Sequence, residues 1–525
     1  MKTVSKYFFL AVAACLSLTA CEDMLDLQPE GGTTTTDLKL DAYEKLPANA
    51  AADIAAIYAQ MIQLYAGGTS NHNDFGIAAC LMVLESEGQD WIGPNIGYNW
   101  FNYSDFYARN YTSGWAGAMW RVHYKIISAC NNVCAAIDST TTDATLKANL
   151  GQARAVRAYC YTNMAQLYQF TYLSTIKENV PLLPCVPIVT EDMPSEKVGN
   201  NPRATVQEVY NLIMADLNYA INAMEGWQRA DKGAADQAVA YGLRARVNLL
   251  LGNWADAAED AKMAIQVSGA RPYTLAEVSK PTFCHAEANS VIWANIIVES
   301  NDIVQTGIIN WPSHMSSLYT DGYTGVGAYR SISSDLYNKI PATDVRKGWW
   351  LDENLESPLL QGENNPYSVW DKYEATPYVN VKFGVPNDNM TNLVADADWT
   401  LMRYEEMILV QAEGLARAGQ EAEAKALLEG WVRENRDPNY TVGLNILEDI
   451  WMQRRIELWG EGFAWFDLNR LEKPIIRTAS DNWPAAWVVD VAANHDCRIW
   501  TLPDAEIQAN AGISESDNNP VGNPF

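Results

Sequence analysis

Residues 245–257 read ARVNLLLGNWADA, and residues 412–424 read AEGLARAGQEAEA. Small residues and one glycine recur in both segments at the same spacing: Ala245, Leu249, Gly252 and Ala257 in the first, and Ala412, Ala416, Gly419 and Ala424 in the second. Small side chains allow two helices to approach closely, and glycine readily adopts the backbone conformation of a tight turn. Each segment is therefore predicted to be a pair of helices joined at its glycine.

This pattern resembles the helical hairpin of tetratricopeptide repeats, although the two copies are not in tandem. Residues 268–399 separate them and contain many Gly, Pro, Asn and Tyr residues. Such a stretch is too long to be structureless in a compact protein, so we expect a loop-rich lobe grafted onto the helical scaffold. Residues 291–298, VIWANIIV, are its best candidate for a strand.

Other helices are predicted from apolar residues at helical spacing. Residues 54–64 and 122–137 each carry one apolar stripe, and residues 152–170 are apolar nearly all round, which predicts a helix packed between others. Thr205 and Glu208 form a capping box that opens a further helix. The predicted fold class is therefore mainly α: a tetratricopeptide-like scaffold, an α–α superhelix, with an irregular lobe that contains short strands.

The amino-acid composition of the chain favours some classes of ligand over others. With 48% hydrophobic and 19% charged residues, the 525-residue chain is typical of soluble globular proteins. The 64 acidic and 37 basic residues give a net charge of -27, which repels nucleic acid and makes a neutral or cationic ligand easier to accept. The 19 Trp, 26 Tyr and 11 Phe are too many flat rings to hide completely, so we expect some to serve as surface contacts.

The amino terminus has the order of features found in an export signal. Lys2 and Lys6 precede an apolar run over residues 7–18 that is too short to span a bilayer. Residues 18–21, LTAC, resemble a bacterial lipobox, which predicts cleavage before Cys21 and acylation of that cysteine. Residues 12–15 also fit the box but leave a shorter apolar core, and an ordinary secretory signal is the alternative interpretation.

Several blocks in a fixed order resemble the SusD/RagB family of outer-membrane lipoproteins. They are CED at 21–23, MWR at 119–121, RAVRAY at 154–159, YEEMILVQAE at 404–413, RRIEL at 454–458 and WFDL at 465–468. Gln453 stands where the family usually has Glu, and Ala464 where it usually has a basic residue. The resemblance implies four tetratricopeptide-like helix pairs, no catalysis, and delivery of oligosaccharides, or in some members peptides, to a SusC-like TonB-dependent transporter.

Five segments are expected along the chain. They are a signal peptide at 1–20, a tether at 21–50, a helical scaffold at 51–267 with an aromatic loop at 85–115, a loop-rich ligand lobe at 268–399, and a C-terminal helical repeat with the SusD-like terminal region at 400–525. Removal of Cys15 and acylation of Cys21 leave seven cysteines, an odd number, so we expect no disulfide framework. No cofactor or metal is predicted, because the acidic residues near Asp396 lack the glycine and spacing of an EF-hand.

Two aromatic segments are the candidate ligand site. Sugar rings are apolar on their faces and polar at their rims, so a binder needs flat rings flanked by polar groups. The predicted ligand-binding residues are Trp91, Asn95, Tyr98, Trp100 and Tyr103 in the first segment, and Trp311, Tyr319 and Tyr323 in the second. We expect the two segments to converge on one shallow, exposed platform. The alternative is that these rings pin their loops to the protein body.

A glycosidase is the competing hypothesis. Glu85, Glu87 and Asp90 could supply the two carboxylates that such an enzyme needs, but clusters of this kind arise by chance in an acidic chain. The charges at Arg454, Arg455, Glu457 and Glu461 recur at helical spacing and are interpreted as structural. No catalytic residue is predicted.

Overall fold

The computed structural model describes residue 39 and residues 42–43, 45–94 and 96–525. The predicted signal peptide and Cys21 lie outside the described residues, and so does Asn95. Within the described ranges, no helix is long and apolar enough to cross a bilayer. The cysteines in these ranges are buried free thiols.

Helices dominate the architecture. From residue 51 onward, the α-helices are α1 (Ala51–Met61), α2 (Ile77–Ser86), α3 (Gly114–Ala136), α4 (Ala144–Tyr168), α5 (Ser195–Val198), α6 (Val206–Ala223), α7 (Gln237–Leu251), α8 (Trp254–Ser268), α9 (Leu275–Val278), α10 (Asp302–Gln305), α11 (Trp311–Met315), α12 (Ser334–Lys339), α13 (Tyr404–Arg417), α14 (Glu421–Asn435), α15 (Ile446–Glu457), α16 (Ala464–Arg470) and α17 (Asp504–Ala509).

The short strands form two-stranded antiparallel sheets. They are β1 (Trp91–Ile92), β2 (Val291–Asn295), β3 (Ser331–Ile332), β4 (Trp399–Arg403), β5 (Ile475–Arg477) and β6 (Val489–Val491). β1 pairs with β3, β2 with β4, and β5 with β6. The strand expected near residue 291 is therefore present as β2, and its partner β4 leads directly into α13.

The long helices form a stack in which successive pairs pack side by side. α3 packs on α4, α4 on α6, α7 on α8, and α13 on α14. The prediction that residues 152–170 form a packed-in helix is confirmed, since α4 is buried on nearly all sides between α3 and α6. The capping box of Thr205 and Glu208 opens α6 as expected. The mainly α, tetratricopeptide-like fold class is confirmed.

The two repeat copies, distant in sequence, are neighbours in space. Gly252 and Gly419 form the turns of the two hairpins, with φ of 82° and 85°. α8 of the first copy packs directly against α13 of the second. A Cβ atom at Gly414 would lie 2.7 Å from the carbonyl oxygen of Trp254 and 2.8 Å from the amide nitrogen of Ala258. The insertion of residues 268–399 therefore leaves the stack of helix pairs continuous.

A network of buried charges joins the loop-rich segment to the last scaffold helices. Glu457, at the end of α15, accepts hydrogen bonds from Arg403 at 2.8 Å, Arg436 at 2.9 Å and Arg346 at 3.1 Å. The network also contains Lys382, Asp344, Glu405 and Glu461. Burial alone would raise the pKa of the Glu457 carboxyl, but Arg436 and Arg403 hold it well below its usual range.

At position 453, where the SusD/RagB pattern usually has Glu, this network contains a neutral Gln. Its side-chain oxygen accepts a hydrogen bond of 2.6 Å from Nη2 of Arg346. The network already contains four cations and four carboxylates, so a neutral side chain at this position preserves the balance of charge. Arg454 and Arg455 pair separately with Asp467 and Asp90. The interpretation of these helix charges as structural agrees with their burial and pairing.

Substituting Gly414 with alanine tests the contact between α8 and α13. We expect Gly414→Ala to lower the free energy of unfolding by about 1–3 kcal/mol, because the added methyl group would press on the backbone of α8. Gly430→Ala is the matched control, since Gly430 is an exposed residue inside α14 with nothing within 4 Å of its added Cβ. That control should gain up to about 1 kcal/mol from helix propensity. Urea unfolding measures both, and equal effects would contradict the close approach.

Neutralising Glu457 tests the buried network. Glu457→Gln should lower the free energy of unfolding by about 3–5 kcal/mol at pH 7, because it leaves buried guanidinium groups without their counter-charge. A carboxyl whose pKa is lower in the folded state stabilises fully above the unfolded pKa of about 4.5 and loses this effect as the pH falls further. The difference between the two proteins should therefore shrink below pH 4.5. Glu259→Gln, at an exposed pair with Lys262, is the control and should change stability by less than about 0.5 kcal/mol.

Candidate ligand-binding site

The structure brings one part of each predicted aromatic segment together. The ring centroid of Tyr323 lies 6.2 Å from that of Tyr98 and 6.3 Å from that of Trp100. His72 stacks on Trp100 with centroids 4.8 Å apart. Tyr98 is 57% exposed and Trp100 is half-buried. We call these four residues, Tyr98, Trp100, Tyr323 and His72, the aromatic surface.

The loop of residues 67–74 positions His72. The Asp74 carboxylate accepts hydrogen bonds from the backbone N–H groups of Gly67, at 2.8 Å, and Thr69, at 3.0 Å. The Asn73 side-chain amide donates to the carbonyl of Trp100 at 2.5 Å. The two Asp74 bonds close the loop on itself, and the Asn73 bond joins it to the segment of Trp100, against which the His72 ring stacks.

His314 supports the aromatic surface from below. Its fully buried ring stacks on Tyr323 with centroids 4.8 Å apart and planes 19° apart. Burial, and then the nearby charge of Arg330, lower the pKa of His314 to about 3, so the ring is neutral at physiological pH. Its Nε2 therefore donates to the carbonyl of His72, at 2.9 Å. The Tyr323 hydroxyl is hydrogen-bonded to Nδ1 of His72. The support beneath Tyr323 is thus an uncharged ring.

Three of the predicted ligand-binding rings lie deep in the protein interior, and a fourth, Tyr323, is only 8% exposed. Trp91 and Trp311 are each 1% exposed, and Tyr319 is buried. The Trp91 indole N–H contacts the sulfur of Met315 at 3.3 Å. The Trp311 indole N–H donates a hydrogen bond to the carbonyl of Ala397 at 2.7 Å. The Tyr319 hydroxyl donates a hydrogen bond to the carbonyl of Leu393 at 2.6 Å. The prediction that these rings face solvent is wrong, because each polar atom has a partner inside the protein.

The remaining predicted residues are more peripheral. Tyr103 is half-buried, lies edge-on to Trp115, and accepts a hydrogen bond from Asn73 through its hydroxyl. Asn95 lies outside the described residues. The sequence reasoning missed His72 as part of this surface, because it stands alone in a loop outside both aromatic segments and nothing in its local pattern points to Trp100.

The carboxylates proposed for glycosidase chemistry are all buried. Glu85 accepts from the backbone N–H groups of Gly462 and Ala464, and burial raises its pKa to about 7. Glu87 pairs with Arg109 at 2.5 Å. Both oxygens of Asp90 accept from Arg455, at 2.8 and 2.6 Å. These contacts fit structural roles in the interior, and none of the three carboxylates belongs to the aromatic surface.

Acidic residues near Asp398 have a structural role too. The Asp398 carboxylate accepts hydrogen bonds from the backbone N–H groups of Ala286 and Ile297, each at 2.8 Å. Across the described ranges, no group of three or more His, Cys, Asp or Glu side chains is arranged to hold a metal ion. Asp398 therefore acts as a backbone clamp beside β2.

Alanine substitutions distinguish the buried rings from the exposed one. Trp311→Ala should lower the free energy of unfolding by about 3–5 kcal/mol, because it removes a large core side chain and leaves a cavity. Tyr98→Ala should change it by less than about 0.5 kcal/mol, since that ring is mainly exposed. Urea denaturation followed by tryptophan fluorescence measures both variants. A stable Trp311→Ala protein would contradict the buried position of this indole.

Comparisons with known proteins agree with this architecture. The chain matches the model of the SusD family over residues 319–520 and a SusD-like model described as "Starch-binding associating with outer membrane" over residues 40–249. A SusD-like protein of Formosa agariphila is 24% identical over 373 residues, which cover 62% of this chain and 67% of the relative.

Solved structures show the same fold. A SusD-like carbohydrate binding protein from Bacteroides vulgatus is 22% identical, with a TM-score of 0.72, and the match covers 90% of this chain and 98% of the other. A SusD superfamily protein from Bacteroides thetaiotaomicron is 20% identical, with a TM-score of 0.68 and coverage of 90% and 99%. Since the two family models together match most of the sequence, one before the loop-rich insertion and one from within it to residue 520, the chain belongs to the SusD/RagB family.

Proposed function

We propose that this protein is a non-catalytic, cell-surface lipoprotein that captures oligosaccharides on its aromatic surface and delivers them to a SusC-like TonB-dependent outer-membrane transporter. The observation that carries the proposal is the exposed Tyr98 ring beside Trp100 and Tyr323. A rigid group of rings at the surface, backed by a packed core, costs little entropy when it takes up a ligand.

The chemistry of the surface suits a sugar. The apolar face of a pyranose ring can lie flat on Tyr98 or Trp100, while hydroxyl groups at its rim can bond to Tyr98 and to the His72 imidazole. The neutral His314 beneath Tyr323 adds no charge that an uncharged sugar would have to desolvate. A shallow, open surface of this kind can bind several consecutive sugar units of a long polysaccharide.

The family supports the location and the partner. The family description refers to starch binding and to the outer membrane, and a relative of known structure is named as carbohydrate binding. Acylation of Cys21 would tether the protein to the membrane without a spanning helix. The transporter follows from the resemblance to SusD/RagB proteins. In this proposal, the helical scaffold carries the ligand over the transporter and releases it there.

Loss of the surface rings should weaken glycan binding. Tyr98→Ala and Trp100→Ala should each lower affinity by about tenfold, or ~1.4 kcal/mol, because each removes one stacking face. Affinity electrophoresis against a panel of polysaccharides identifies a ligand and measures the change. Tyr107→Ala is the matched control, since Tyr107 is 60% exposed in the same loop but is not part of the aromatic surface.

The same experiment separates the competing functions. Unchanged mobility of both variants on a glycan that retards the wild type would overturn the assignment of the aromatic surface. Tyr98-dependent binding of a peptide pool, with no glycan bound, would favour the oligopeptide-binding alternative. Shortened products after incubation with a bound oligosaccharide would indicate a glycosidase.

A further inference from the structure

A groove on the helical scaffold contains two basic side chains. It has a volume of about 380 Å³ and lies between α3 and the start of α17. Its lining includes Trp120, Arg121, Tyr124, Lys125, Pro503 and Glu506. The rings of Trp120, which is only 7% exposed, and half-buried Tyr124 lie 4.8 Å apart and form an aromatic wall on one side of the groove. The groove thus combines flat rings with two basic side chains.

Neither basic side chain forms an ion pair with any residue that the structure describes, although Glu506 lines the same groove. Among the described residues, the half-buried Lys125 has no hydrogen-bond or ion-pair partner, and exposed Arg121 bonds only to the carbonyl of Gly67, at 2.7 Å. The Glu506 carboxylate receives the Trp120 indole N–H at 3.3 Å and the Asn510 amide at 2.9 Å. Arg121 and Lys125 thus place two positive charges one helical turn apart on α3, an arrangement that suits an anionic partner.

The loop of residues 67–74 has contacts with both the groove and the aromatic surface. Arg121 contacts Gly67 at one end of the loop of residues 67–74, and His72 in the same loop stacks on Trp100. Five residue steps separate Gly67 from His72, so their Cα atoms are at most about 18 Å apart. A single ligand that contacts both Tyr98 and Lys125 would be an oligosaccharide long enough to span the loop of residues 67–74.

We propose that this groove is a second subsite that binds an anionic substituent, a carboxylate or sulfate, on the same glycan. The inference rests on the proposed function and adds the charge class of the ligand. Arg121 and Lys125 supply the positive charge, and the Trp120–Tyr124 wall supports the sugar ring that bears the substituent. The acidic remainder of the protein disfavours densely charged polyanions, so the preferred ligand carries isolated negative groups rather than a continuous run.

Matched pairs of oligosaccharides test the subsite. The probes are galactan hexasaccharides that carry one sulfate and their desulfated forms, and hexasaccharides that contain one galacturonate unit and their methyl esters. Titration calorimetry should show the wild type binding the charged member of one pair about tenfold more tightly, as expected for one or two charge-assisted hydrogen bonds. That preference should fall as NaCl is raised, since salt screens an exposed charge pair.

Substitution of Lys125 locates the effect. Lys125→Met should remove most of the tenfold preference and leave binding of the neutral member unchanged, and Lys125→Glu should reverse the preference. Lys147→Met is the matched control, because Lys147 is also half-buried on a helix but does not line the groove. Circular dichroism and urea unfolding verify that each variant is folded.

The outcomes separate this inference from the proposed function. Equal affinity for charged and neutral members, or a preference that Lys125→Met leaves intact, overturns the subsite while Tyr98-dependent glycan binding stands. Absence of any glycan binding overturns both proposals. Lys125-dependent binding of an oligoglutamate peptide in place of any glycan overturns the sugar as occupant and assigns the groove to an acidic peptide.

Discussion

The carboxylate of Glu457 holds together segments that are far apart in sequence. It receives guanidinium groups from the end of β4, the end of α14 and the loop-rich segment, through Arg403, Arg436 and Arg346. The backbone carbonyl of the same residue, at the C-terminus of α15, accepts from Lys382 and Arg403. Cations at that helix end are favoured by the helix dipole. A buried charge that loses its partners is costly, so this network penalises any arrangement that separates the loop-rich segment from the scaffold helices.

That arrangement determines the aromatic surface. Tyr98 and Trp100 come from the loop after α2, while Tyr323 comes from the insertion between the two repeat copies. The β1–β3 pairing joins the same two regions through backbone hydrogen bonds. His314 then fixes Tyr323 from below, and the loop of residues 67–74 brings His72 to its side. The surface is thus assembled by contacts among three separate segments, each anchored in the common core.

Sequence reasoning anticipated that the two aromatic segments meet, but it did not anticipate which of their rings are buried. Its expectation of convergence matches the contact between Tyr98, Trp100 and Tyr323, whereas Trp91 and Trp311 proved to be core residues. A tryptophan in a loop has no local periodicity to reveal which way its indole points. The acceptors that bury these rings, such as the Ala397 carbonyl, lie far away in the chain and could not be paired with them from the sequence alone.

The sequence by itself determined the helix pairs and their order. Apolar spacing, a capping box at Thr205 and turn glycines at 252 and 419 act between residues a few positions apart, where the chain's own geometry decides the outcome. The tertiary structure alone decided that the separated repeats pack as neighbours, which charges neutralise each other, and which rings face solvent. The solvent exposure of a ring and the pairing of a charge depend on which distant residues pack against that side chain. The spacing of neighbouring residues in the sequence does not contain this information.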